Sequence, residues 1–81
     1  MTLRLRFFAS LRERLRCSEA EWKLPDGATV QDLWDALCAE HAGLTQLGPS
    51  ISFAVNREYV DRGHRLSDND EVALIPPVSG G

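Results

Sequence analysis

The sequence predicts an α+β roll in which a mixed sheet of four or five strands lies across one main helix. Three observations carry that expectation. Apolar and polar residues alternate near both ends of the 81-residue chain, the mark of strands with one buried face. Between them Val30, Leu33, Trp34, Leu37, Cys38 and His41 recur at helical spacing and form an apolar stripe. Two strands cannot cover such a stripe, whereas four or five can.

The elements follow in chain order. In "TLRLRFF", Leu3, Leu5 and Phe7 alternate with Arg4 and Arg6, which makes the first strand. Ser10 with Glu13 three residues on has the pattern of a capping box, so a short helix is expected there with Leu11 and Leu15 on one face. "EAEWKL" alternates again, with Ala20, Trp22 and Leu24 on one side, and "PDG" breaks the chain after it. That second strand is expected antiparallel to the first.

Thr29 is placed to cap the main helix, Asp32 sits in its first turn where the dipole favours a carboxylate, and Gly43 is the expected stop. His41 ends the apolar stripe and is expected to pack or to answer the negative end of the helix. Residues 44–50, with Gly48 and Pro49, read as a loop. "ISFAV" sets Ile51, Phe53 and Val55 on one face, and "NRE" turns the chain into a short return strand at Tyr59 and Val60. "LSDNDE" is a turn, and "EVALI" is the last strand, ended by Pro76, which has no N–H for a ladder. The helix supplies the long crossover that lets the first and last strands lie parallel and adjacent. Residues 1–75 are thus expected to be the folded domain and 76–81 a flexible tail.

Composition narrows the function. The formal charge is −3, from 9 Lys and Arg against 12 Asp and Glu, so the arginines at 4, 6, 12, 14 and 16 read as solvated faces rather than a nucleic-acid site. No apolar run is long enough to span a bilayer, and the first residues lack the pattern of a signal peptide. A cytoplasmic protein with no membrane partner is expected. Cys17 and Cys38 have no CxxC or histidine companions, and His64 lies in "RGHR" without a ligand partner, so no metal site is expected. There is also no phosphate loop and no nucleophile and base at motif spacing. The chain is not expected to be an enzyme by itself, nor to bind a cofactor.

Two features remain. Phe8, Tyr59 and Ile75 fall out of phase with the buried alternation and so point to the opposite side of the sheet. They are either scattered exposed hydrophobes or, if they cluster, a patch for a partner. The other feature is the ending "PPVSGG". Pro76 and Pro77 favour an extended strut, Val78 and Ser79 follow, and Gly80 and Gly81 have no Cβ to obstruct a narrow channel. Such a tail is either a frayed end or a threadable arm whose one reactive group is a carboxylate. A carboxylate must be activated before it can carry anything, and no nucleotide motif is present for that step.

"FFASLRE", "LPDGATVQDLW", "AVNREYV" and "LSDNDEVALIPPVSGG" together resemble the small, sulfur-carrying subunits of molybdopterin synthase, which have a ubiquitin-like β-grasp fold. The resemblance covers nearly the whole chain, and the Pro-Pro-Val before Gly-Gly is its most specific part. It implies that Gly81 is adenylated by a ubiquitin-activating-like enzyme that consumes ATP. A sulfur donor then converts it to a thiocarboxylate. It further implies a heterotetramer with the large synthase subunit, sulfur transfer to cyclic pyranopterin monophosphate, threading by Pro76, Pro77, Val78, Ser79 and Gly80, and docking through Phe8, Tyr59 and Ile75. Rival readings are the sulfur carrier of thiamine thiazole synthesis and a ubiquitin-like protein modifier. An iron–sulfur carrier of this fold would need four cysteine ligands, and the chain has two.

Overall fold

In the computed structural model, which describes residues 1–77, the alternating segments from the two ends of the chain become neighbours in one sheet. Strand β1 (Thr2–Phe7) is followed by helix α1 (Ala9–Leu15), strand β2 (Glu19–Lys23), helix α2 (Val30–Glu40), a 3-10 helix over Ala42–Ser50, and strands β3 (Ser52–Val55), β4 (Glu58–Val60) and β5 (Glu71–Ile75). The sheet runs β2-β1-β5-β3-β4. β1 and β5 are parallel, with Phe7 level with Leu74, and the other neighbours are antiparallel. The roll with five strands is therefore the observed architecture.

The alternation decides the core. Leu3, Leu5, Phe7, Phe53, Val55, Val72 and Leu74 of the sheet form one buried cluster with Val30, Leu33, Trp34 and Leu37 of α2. Leu11, Leu44, Ile51 and Leu66 close its margins. Burying each of the larger side chains contributes about 1.5–3 kcal/mol, and no polar or charged residue among those described is buried with them. Trp34 meets Phe53 edge to face, with ring centroids 6.0 Å apart, a favoured aromatic geometry.

Both helix ends differ from expectation. The capping box does not form at Ser10 and Glu13: α1 starts at Ala9, its N-cap is Phe8, and no side chain bonds the cap. The physical reason is that Phe8 keeps the extended conformation of β1, at φ −122° and ψ 157°, and its carbonyl closes the first turn by accepting from Leu11 N–H at 3.1 Å. Ser10 is left inside the helix. A complete box forms instead on α2, where Asp32 N–H donates to Thr29 Oγ1 at 3.2 Å and Thr29 N–H donates to Asp32 Oδ2 at 2.9 Å.

The far end of α2 is corrected as well. Gly43 is not the stop; the helix ends at Glu40, and exposed His41 occupies the C-cap without joining the core. The segment expected as a loop is the 3-10 helix, because buried Leu44 and half-buried Leu47 recur at three residues, the period of one 3-10 face. That face draws the chain onto the core.

A clasp ties the loop after β4 to these helices. Val30 and Gln31 donate their backbone N–H groups to the carbonyls of His64 and Arg62, at 3.0 and 2.9 Å, so two orphan donors of α2 are met by tertiary contact. The Arg62 guanidinium donates to Gln31 Oε1 and to the Gly48 carbonyl, and lies 5.1 Å from the Phe53 ring centroid. Charged hydrogen bonds and a cation–π contact of this kind sum to about 2–3 kcal/mol. Arg62→Ala is expected to lose that stability, read as a lower urea midpoint; an unchanged midpoint would show that the clasp holds nothing.

The β3–β4 hairpin turns on Asn56 and Arg57, at φ 51° and 72°, the left-handed pair of a type I′ turn. Asn56 suits the position and also bonds Asp70 and the Glu71 N–H through its side chain. Arg57 pays the left-handed steric cost of a Cβ. Arg57→Gly is accordingly expected to stabilise the fold by about 0.5–1 kcal/mol, raising the melting temperature.

Candidate docking face and tail exit

The face of the sheet turned away from α2 is built by the same alternation that builds the core. Continuing the β1/β5 register past Phe7 and Leu74 sets Phe8 beside Ile75. Across the next strands Ala73 stands opposite Ala54, and Ala54 opposite Tyr59. Phe8, just past the end of β1, and four residues of β5, β3 and β4 thus lie on one face of the sheet. Tyr59 is 73% exposed and Phe8 38%, whereas Ile75 is half-buried. Phe8 and Ile75 are therefore neighbours, whereas Tyr59 lies three strands from Phe8 and joins them only through Ala73 and the buried Ala54.

Ala54 and Ala73 make the floor of this face, and neither was singled out from the sequence. The signal was present, since each lies between two core residues in its strand and so must face outward. Their small side chains leave the larger rings at the rim standing proud. Beyond Tyr59, a shallow depression of about 420 Å³ runs among Ser52, Tyr59, Asp61 and Arg62, extending the surface toward the β4 edge.

The other half of this face is charged. Arg4 lies between Glu21 and Glu71, and Arg6 stands opposite Glu19. Arg6 reaches Glu71 at 3.4 Å and Glu19 at 3.9 Å, and its guanidinium also lies 5.6 Å from the Phe8 ring centroid. These exposed pairs are worth little as stability. Their effect is positional: they hold Arg6 at the border, where its guanidinium flanks the Phe8 ring.

β5 ends at Ile75, Pro76 is buried and Pro77 is exposed. The chain therefore leaves the sheet at the same end as Phe8, directly beside the apolar half. Val78, Ser79, Gly80 and Gly81 lie outside the described residues. Elsewhere Cys17 and Cys38 are free and half-buried. Among the described residues no group of three His, Cys, Asp or Glu could hold a metal ion, and no helix is long and apolar enough to cross a membrane.

Residues 5–81 match the ThiS family. The molybdopterin synthase sulfur carrier subunit of Chlamydomonas reinhardtii is 40% identical, with all of both chains covered. Among solved structures, SAMP1 from Haloferax volcanii superposes with a TM-score of 0.87 at 30% identity, again over all of both chains. A complex of subunits 1 and 2 of the molybdopterin-converting factor from Helicobacter pylori contains a chain at TM-score 0.71 and 28% identity, with all of both chains covered. The fold is the ubiquitin-like β-grasp that the sequence motifs imply, and by sequence across nearly its whole length the chain belongs to the ThiS family.

Proposed function

We propose that this chain is the sulfur-carrier subunit of molybdopterin synthase. The observation that carries the reading is the parallel β1/β5 pairing, by which the chain leaves the sheet beside exposed Phe8 and half-buried Ile75, on the face that also carries Tyr59. A partner that covers these residues receives the tail at its own surface. Support comes from the full-length likeness to a named sulfur carrier subunit and to one chain of a two-subunit converting-factor complex.

The chemistry assigned to the tail follows from its one reactive group. The Gly81 carboxylate, ionised near neutral pH, attacks the α-phosphorus of ATP on an adenylating enzyme and displaces pyrophosphate. A sulfide equivalent from a donor then attacks the acyl carbon, AMP leaves, and a thiocarboxylate remains. Its sulfur is the nucleophile delivered to cyclic pyranopterin monophosphate in the large subunit, on the way to the dithiolene. Pro76 and Pro77 are assigned the strut, Val78, Ser79 and Gly80 the threaded segment. The missing Cβ atoms at Gly80 and Gly81 let the backbone come close to a reacting centre.

In this scheme the chain itself catalyses nothing and binds no cofactor. It acts in the cytoplasm as a folded handle, residues 1–75, for a reactive arm, residues 76–81, whose first residue, Pro76, is buried rather than free, within a heterotetramer of two small and two large subunits. Incubation with the adenylating enzyme, ATP and a sulfur donor is expected to exchange one carboxylate oxygen for sulfur, read by intact-mass spectrometry. An unchanged mass with partners proven active on another carrier would overturn the reading.

A further inference from the structure

We propose that the free edge of β2 is a second docking site, which takes an extended segment of a partner protein in which basic residues alternate with apolar ones. The inference is independent of the tail's chemistry and begins with the backbone. Leu24 N–H donates to the Met1 carbonyl at 3.1 Å, the Met1 amine donates to the Leu24 carbonyl at 2.8 Å, and Phe7 N–H donates to the Ser18 carbonyl at 2.9 Å. Bonded and non-bonded pairs alternate along an antiparallel ladder. The register between these points makes Leu3/Trp22 and Leu5/Ala20 the bonded pairs. The N–H and C=O groups of Glu19, Glu21 and Lys23 then point away from β1, and β2 is an edge of the sheet with no described strand beyond it.

The side chains beside that edge select the occupant. On the outer face stand Glu19 and Glu21, with Lys23 ending the row; on the helix side a groove of about 500 Å³ opens among Trp22, Leu24, Ala36 and Ala39, with Glu21, Lys23 and Glu40 also lining it. Trp22 is only half-buried there, a large aromatic that the core leaves partly unused. Residues of an added strand that face Glu19 and Glu21 are favoured if basic, and those between them fall over the groove and are favoured if apolar. The other side of β2 already accepts such a pattern, because Arg4 pairs with Glu21 and Arg6 with Glu19 while Leu3 and Leu5 fall on the core side. A second copy of the same edge, in the antiparallel register centred on Glu21, sets the two Glu21 carboxylates against each other but Glu19 against Lys23 on either side, so it is the competing occupant that the test below separates from a basic partner strand. β1 separates this edge from β5, so a partner held here leaves Phe8, Ile75 and Tyr59 uncovered.

The test titrates the isotope-labelled full chain with two synthetic peptides, one alternating arginine with valine and one alternating aspartate with valine, and follows amide hydrogen exchange by NMR. The arginine peptide is expected to slow exchange at Glu19, Glu21 and Lys23 at least about tenfold, and Glu19→Lys with Glu21→Lys to weaken its binding by a similar factor. Glu40→Lys, at a helix end where a cation is favoured, keeps the test valid if the double variant is unstable, and is expected to weaken the arginine peptide about threefold or more. Equal binding of both peptides would overturn the proposal. So would unslowed exchange at those three amides, protection only at Phe8 and Tyr59, or a dimer whose β2 amides are protected without peptide.

Discussion

Removal of Gly81 is expected to abolish sulfur transfer while changing fold stability by no more than about 0.5 kcal/mol, the range of substitutions that touch no core contact. The core cluster ends at Leu74, and β5 at Ile75, so no described packing rests on the last residue. The shortened arm would place its carboxylate about 3.5 Å short of the reacting centre, and a misplacement of only 1 Å costs on the order of 10²-fold in rate. Thiocarboxylate formation is followed by intact mass, transfer by product formation with the large subunit, and stability by calorimetry. A variant that loses its thermal transition would make the tail a structural element; one that still transfers sulfur would remove Gly81 from the chemistry.

Phe8→Asp is expected to separate docking from folding. Phe8 occupies the N-cap of α1 with the extended backbone that a capping side chain needs, yet no side chain bonds there. Aspartate supplies that bond, worth about 0.5–2 kcal/mol, and so offsets the partial burial lost with the ring. On the outer face the same change sets a carboxylate beside Ile75 and removes a ring against which Arg6 lies. A partner that buries this patch must desolvate the new charge. Loss of an aromatic anchor costs about 2–4 kcal/mol in such interfaces, which predicts a large-subunit affinity at least about 30-fold weaker. Titration calorimetry and a melting curve on one preparation decide it: undiminished affinity would move the docking surface elsewhere.

The outer face shows how far the sequence reached. Alternation alone assigned Phe8, Tyr59 and Ile75 to the side away from the core, because side-chain direction in a strand depends only on parity. Bringing them together needed the strand order, since Phe8 and Ile75 are separated by most of the chain and meet only through the parallel register of β1 and β5. The helix ends were less legible. Ser10 and Glu13 carry a capping pattern as good locally as Thr29 and Asp32, but the chain turns into the helix directly after the extended Phe8, two residues earlier than the pattern implies, which makes Phe8 the cap. Gly43 has the composition of a helix stop, yet the pull of Leu44 and Leu47 toward the core ends α2 earlier and winds the following segment into a 3-10 helix.

By itself the sequence determined the parity of every strand and the apolar stripe of α2, because these depend on spacing within a few residues, and its motifs, with the Gly-Gly ending, carried the resemblance to the family. Only the tertiary structure decided that Phe8 meets Ile75 on the face that carries Tyr59, that Arg62 reaches Gly48 and Phe53 to clasp the loop, and that β2 has a free edge among the described residues, beside Trp22. The physical reason is that such contacts join residues far apart in the chain, and their energy exists only once the core has set the strand order.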